Sequence, residues 1–221
     1  MPELPPMSTY QFGLLRKGAK WTPGRNPATD SLQGGHMKNI QRMYEMGLLV
    51  AAGPFLDGGD LRGIYVFRAD SVERIRAASR MDPAIQAGRL AIDLTAWLAP
   101  SGIGRLYRER SAGPGFRDSM ITYRLGLLKK GPKWTDEMSE GTQALQIEHV
   151  NSILDRIRSG DYATAGPLLE DGPYLGVVVI RGDSAHAASL AGTDPAVRAG
   201  RLVAELHPWM TAWGTFPGDT L

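Results

Sequence analysis

Two histidines, His36 and His149, stand 113 positions apart, and each has the same neighbours at the same distances. Leu32, His36 and Ile40 step by four along one helical stripe, and Leu145, His149 and Ile153 repeat it. Asp82-Pro83 and Asp194-Pro195 follow in turn, the second pair displaced by 112 positions. Imidazole is the side chain that gives or takes a proton near neutrality, at an unperturbed pKa of about 6.5. A carboxylate on its second nitrogen would fix the tautomer and stabilise the imidazolium, an arrangement that supplies roughly 10²–10⁴ in rate. Such a pair suits proton abstraction, tautomerisation or elimination on a small polar aromatic or carbonyl compound. A plainer reading also stands: a histidine satisfied by a core carbonyl, and an Asp before Pro that only closes a turn.

Other chemistry has weaker support. The chain has no cysteine, so thiolate ligands, disulfides and cysteine nucleophiles are ruled out. His186 and His207 lack a nearby second ligand, and no metal site is expected. Neither a Gly-x-Ser-x-Gly elbow nor a phosphate-cradling glycine loop is present. Lys20-Trp21 and Lys133-Trp134 recur in loops, where the indole is either a lid on the core or a pocket wall. On the fourth strand of each half, Asp93, Thr95 and Trp97 share a face, as do Glu205, His207 and Trp209. A carboxylate turned into an interior needs a partner or water, so Asp93 and Glu205 either line a wet cavity or lie at a solvent rim.

The elements that must position these residues follow from periodicity. Tyr10–Lys17 alternates as a strand, and residues 30–46 form a helix ended by Gly47. Leu48–Gly53 is a short strand stopped by Pro54, and Ile64–Arg68 is the next strand. Asp70-Ser71 caps a second helix running to Asp82-Pro83, and Leu90–Trp97 is the fourth strand. The order is the βαββαβ ferredoxin-like unit, and it returns in the second half. Residues 8–99 and 120–213 are thus read as two domains, with 100–119 a linker whose Arg105–Arg110 stretch is solvated. Residues 1–7 read as a loose tail. A four-stranded sheet with both helices on one face leaves the other bare, and two copies can cover each other as a pseudo-dimer.

The histidine, the glycine eleven residues on, the Gly-Pro six further, and Asp-Pro-Ala…Ala-Gly-Arg-Leu before a Trp-ended strand resemble the YciI-like (YCII-related) family in both copies. The resemblance implies an α+β fold of the dimeric α+β barrel group, here as a fused pair. It implies a histidine–aspartate centre, carried over to His36 and His149 with Asp82 and Asp194. It also implies a lyase or isomerase, since one relative eliminates chloride from a hydroxylated aromatic ring. The alternatives are a non-catalytic ligand- or partner-binding protein, or a haem-binding protein, because other members of the barrel group hold haem through a helix histidine.

Composition bounds the partners. A net charge of +2 over 221 residues gives no field for nucleic acid, and apolar and charged fractions of 43% and 22% are ordinary for a globular protein. No apolar run approaches the ~20 residues that span a bilayer, and the N-terminus lacks the pattern of a secretory signal. The expectation is a cytoplasmic protein acting on a small molecule without a cofactor, either a monomer with an internal pseudo-dimer or a homodimer of it. Both sites are expected to be competent but not equivalent.

Overall fold

The computed structural model describes residues 5–68, 71–137 and 139–219. The first half runs β1 (Met7–Lys17), α1 (Pro27–Glu45), β2 (Leu49–Pro54), β3 (Leu61–Arg68), α2 (Val72–Arg80), α3 (Pro83–Gln86) and β4 (Leu90–Pro100). Helix α4 (Arg105–Ser111) follows. The second half runs β5 (Met120–Lys130), α5 (Glu140–Ser159), β6 (Tyr162–Pro167), β7 (Gly176–Ile180), α6 (Ser184–Thr193), α7 (Pro195–Arg198) and β8 (Leu202–Ala212). Each half is a four-stranded antiparallel sheet of the same topology, ordered β2-β3-β1-β4 and β6-β7-β5-β8.

Helix α1 starts three residues earlier than its apolar stripe suggests. Asn26 and Thr29 form a reciprocal capping box, and Pro27 occupies the first turn, where its missing N–H costs nothing. Asp70 lies outside the described residues, and the cap of α2 is Ser71, which accepts from the Arg74 amide.

Alternation along the strands divides the apolar residues between two kinds of core. Leu15, Tyr65 and Phe67 meet Met43 and Ile75 beneath the helices of the first half. Leu128, Val178 and Ile180 do the same with Ala187 and Ala196 in the second. The opposite faces of both sheets share one core, with Phe12, Val66 and Trp97 against Leu125, Val179 and Trp209. The space between the sheets is therefore filled with apolar side chains and is not the wet cavity that the sequence allowed. Asp93 and Glu205 are on the expected strand face but beyond the core. Strands of 11 residues outrun it, so Asp93 pairs with Arg16 at 2.7 Å and Glu205 with Lys129 at 2.6 Å.

The sheets join edge to edge. Leu56 donates to the Pro208 carbonyl and Leu169 to that of Ala96, at 2.9 and 2.8 Å, and bridges link Phe55 to Trp209 and Trp97 to Leu168. The repeated Gly-Pro turns make this closure possible. A Cβ on Gly53 would lie 1.8 Å from the Met210 carbonyl oxygen, and one on Gly166 would lie 1.8 Å from that of Leu98. The indoles of Trp209 and Trp97 donate to the Gly53 and Gly166 carbonyls, each at 3.1 Å. Eight strands thus form a closed ring around an apolar centre, with the helices outside, and among the described residues each sheet edge meets the other sheet.

Two expectations need correction. The Arg105–Arg110 stretch is only partly solvated: Arg105 and Glu109 are exposed, but Tyr107 packs edge-on against Tyr44 and Phe116, and nearby Ile103 is buried in the shared core. Arg108 stacks over Tyr44, 4.4 Å from its centroid, and bonds its carbonyl. The tail is not loose in its described part either, since Met7 opens β1 and the Pro6 carbonyl accepts from Ser101.

Candidate active site

The dyads form where the end of one helix meets the start of a short one. Asp82 is fully buried as the N-cap of α3. Its Oδ1 accepts from the Ala84 amide at 2.9 Å, and its Oδ2 lies 2.7 Å from Nδ1 of His36. Asp194 caps α7 in the same way, accepting from Ala196 and Val197, with both carboxylate oxygens 2.8–2.9 Å from Nδ1 of His149. The turn-closing role and the histidine-pairing role of these aspartates are therefore one arrangement. The cap amides fix the carboxylate, and the carboxylate fixes the ring, so that Nδ1 carries the hydrogen it donates and Nε2 is left as the reactive edge.

Each histidine lines a cavity beneath its long helix. The first, about 470 Å³, has His36, Ile40 and Leu49 on its walls, Trp21 at its side, and Thr211 and Thr215 from the second half closing it. The second, about 370 Å³, holds His149, Ile153 and Trp134, and is closed by Met7, Leu98 and Pro100 from the first half. Both fall in the range typical of small-molecule sites. The loop indoles Trp21 and Trp134 are thus pocket walls. Asp93 and Glu205 line neither cavity, because they stand at the barrel rim.

Residues that periodicity did not single out distinguish the two. In the first cavity the Tyr65 hydroxyl lies 3.5 Å from both nitrogens of His36, its ring nearly parallel to the imidazole. Burial, reinforced by the Asp82 charge, pushes the Tyr65 phenol well above its ordinary pKa, so it stays a neutral donor. Val178 holds the corresponding place in the second cavity. Reading the halves in register, Tyr65 against Val178 and Arg62 against Leu175, is the signal that exposes this difference in sequence.

Among the described residues, no group of His, Asp and Glu is placed to hold a metal ion, and no helix is long and apolar enough to cross a membrane. No curated protein matches this chain. Solved structures share its fold. A chlorite dismutase variant from Candidatus Nitrospira defluvii superposes with a TM-score of 0.54 at 12% identity, over 91% of each chain. A protein provisionally named a chlorite dismutase gives 0.54 at 12% identity, over 92% of this chain and 93% of that one. A haem-binding protein from Thermus thermophilus is more distant, with a TM-score of 0.48 at 14% identity, over 98% of this chain and 96% of that one. At this identity the first two likenesses show a shared fold. In the sequence itself, residues 17–95, which carry Trp21, His36 and Asp82, match the family model of the YCII-related domain.

Proposed function

We propose that each half of the protein binds a small, planar, largely apolar molecule under its long helix, with the Nε2 edge of a carboxylate-backed histidine turned to it. The observation that carries this reading is the His149 site. Both oxygens of Asp194 lie on Nδ1, no hydrogen bond engages Nε2 among the described residues, and the histidine borders an apolar cavity of about 370 Å³.

Haem is one ligand that this donor set fits. Histidines that ligate metals almost always give their second N–H to a carboxylate or carbonyl, which raises their basicity and fixes the ring. His36 and His149 would each hold an iron through Nε2, with Asp82 and Asp194 behind them. When bound, haem supplies redox and oxygen-ligand chemistry, and the apolar walls exclude water from it. Titrating haem into the protein while recording the absorption spectrum tests this. The expected result is a shifted Soret band that His36→Ala and His149→Ala each diminish and the double variant abolishes. An unshifted band in the wild-type protein eliminates haem.

A second reading is favoured by Tyr65. Beside His36, Nε2 would take a proton from a small aromatic or carbonyl substrate, Asp82 would stabilise the imidazolium, and the neutral Tyr65 hydroxyl would donate to the oxygen that gains charge. Such a site is a lyase or isomerase. Chloride release from a chlorinated, hydroxylated benzene, followed with an ion-selective electrode, is the assay. His36→Ala should remove most of the activity and Tyr65→Phe a smaller part, while His149→Ala leaves most of it. Loss through His149→Ala in a folded protein would refute the assignment to the first cavity.

A further inference from the structure

Around Trp21 and Trp134 the two halves carry the same indole but different charge. Arg89 stacks over Trp21 with its guanidinium carbon 4.2 Å from the ring, and Arg62 lies over the same ring at 4.8 Å. Both line the first cavity. Arg89 is held by the carbonyl and hydroxyl of Thr22, at 2.8 and 3.0 Å, and Arg62 donates to the Gly59 carbonyl. Among the described residues neither pairs with a carboxylate. The nearby Asp60 belongs to Lys17, and Asp118, across the cavity, accepts from Tyr107.

The second half has one cation fewer around its indole and none of them on the cavity wall. Arg201 stacks over Trp134 at 4.2 Å but does not line the cavity. Asp136 accepts from the Trp134 indole at 2.8 Å and pairs with Lys130 at 3.1 Å. Hydrogen bonds from Trp134 and Lys130, with the charges of Lys130 and Arg201, hold the Asp136 carboxyl below its ordinary pKa. In the first half the residue in register with Asp136 is Pro23, and the one in register with Leu175 is Arg62. Each half thus pairs the lysine beside its indole with an acid, Lys17 with Asp60 and Lys130 with Asp136, and the first half has an additional cation, Arg62, at the cavity wall. Among the described residues no Lys or Arg lines the second cavity.

We propose that the first cavity takes a planar aromatic carboxylate, its ring between His36 and Trp21 and its anion at Arg62 and Arg89, and that the second takes an uncharged apolar molecule. The proposal rests on the reading that both cavities are ligand sites. A guanidinium offers parallel donors that match a carboxylate, and an indole stacked against it pre-orders the side chain. An unpaired cation at a half-buried wall gains most from an anion that arrives with an apolar body, because water is displaced as the pair forms.

The test uses an isosteric pair of probes, 2-naphthoate and 2-naphthalenemethanol, followed by NMR through the Cε1–H signals of His36 and His149 and by calorimetry. The acid should move the His36 signal and bind that cavity about 10-fold or more tightly than the alcohol, the size expected for a charge-assisted hydrogen bond. The alcohol should be the tighter ligand at His149. Arg62→Leu should cut the acid's advantage over the alcohol, its combination with Arg89→Leu should abolish it, and Arg62→Lys should keep part of it. Leu175→Arg should bring acid binding to the His149 cavity. Equal binding of acid and alcohol at His36, or an advantage that survives the loss of both Arg62 and Arg89, overturns the charge assignment while leaving both cavities as ligand sites. If neither probe moves either histidine, the ligand-site reading falls with it.

Discussion

The cavity beneath α1 and the cavity beneath α5 are built on one plan and finished differently. Both keep the capped aspartate, the histidine paired with it, an indole wall and an apolar helix stripe. They part at the residues a ligand would touch: Tyr65, Arg62, Gln41 and Tyr44 line the first, where Val178, Leu175, Leu154 and Ile157 line the second. The residues that orient the imidazole are the same, and those that would define its ligand have changed.

The comparison depends on the barrel that closes each cavity with the other half, and the largest effects should come from its seams. Gly53→Ala and Gly166→Ala each force a methyl group onto a backbone carbonyl that has no slack, since Met210 and Leu98 are themselves in ladders. Each should lower stability by about 3 kcal/mol or more, read as a fall in the urea midpoint. Similar losses would mean that the seams are equivalent. A tolerated alanine on one side would mean that this seam opens, and that the cavity behind it is not fixed.

The aspartates should separate the halves by a smaller margin. Asp194 accepts from two amides and Asp82 from one, in addition to their histidines. An N-cap is worth about 1 kcal/mol. Asp194→Ala is therefore expected to cost about 1 kcal/mol more than Asp82→Ala in a denaturant titration. In both variants the histidine should lose its fixed tautomer, visible in the ¹⁵N shifts of the ring. Equal costs would show that the second amide bond of Asp194 adds nothing.

Smaller still should be the effect of exchanging the residues that differ. The Tyr65 hydroxyl makes only 3.5 Å contacts, too long to contribute much to stability. Tyr65→Phe should change the unfolding free energy by less than about 0.5 kcal/mol, within the range of mild substitutions. Val178→Tyr adds a ring to a buried strand position, but the ring has the second cavity to enter. Its cost should stay near the lower end of the ~1–3 kcal/mol typical of overpacking. A larger loss would mean that the second cavity has no room at Val178 for a tyrosine like that of the first.

Much of this was legible in the sequence because it is local or periodic. The apolar stripe of α1, the alternation of β1 and the 113-residue register between His36 and His149 are each set by side chains within one or two elements. The pairing of His36 with Asp82 came only as what the family resemblance implies; the residues alone left open which carboxylate faces each histidine, because Asp-Pro by itself reads as the close of a helix. The barrel was implied by the family resemblance alone; how it closes was not legible, since that turns on what Gly53 lacks beside Met210, a residue far away in the chain. The Arg105–Arg110 stretch was misread for a similar reason. Its charges suggest solvent, yet Tyr107 and the stem of Arg108 cover Tyr44, and aromatic cover of this kind leaves no period in sequence. Asp93 and Glu205 were placed on the correct strand face, but a period of two gives no depth, so the rim could not be told from the interior.

The weakest difference between the halves lies at the seams, where only one carries an ion pair among the described residues. His207 on β8 sits with Nδ1 2.5 Å from Asp57, in the loop after β2, and Nε2 3.1 Å from Glu205 on its own strand, which Lys129 on β5 also holds. The ring of Phe55 covers its face at 4.7 Å. At the other seam Glu170 accepts from the Ala96 amide, at 3.3 Å. Burial works against the Asp57 charge, but the His207 hydrogen bond, the Gly59 amide and the His207 charge together hold its pKa below the ordinary value. Glu205 is lowered chiefly by the Lys129 hydrogen bond, against some burial. A carboxyl whose pKa is depressed in the folded state contributes stability above its unfolded pKa and loses it as pH falls through the folded value. The clamp should therefore act at about pH 5 and fade toward about pH 3. Both carboxylates keep about a third of their side chains in solvent, which screens the pair, so the contribution is at most about 1 kcal/mol. Unfolding wild type and His207→Gln at both pH values checks this. The variant should be less stable at the higher pH, with the gap narrowing at the lower, whereas Glu170→Gln should show a smaller gap at either. A gap equally wide at both would mean that His207 joins the halves by packing on Phe55 and not by charge.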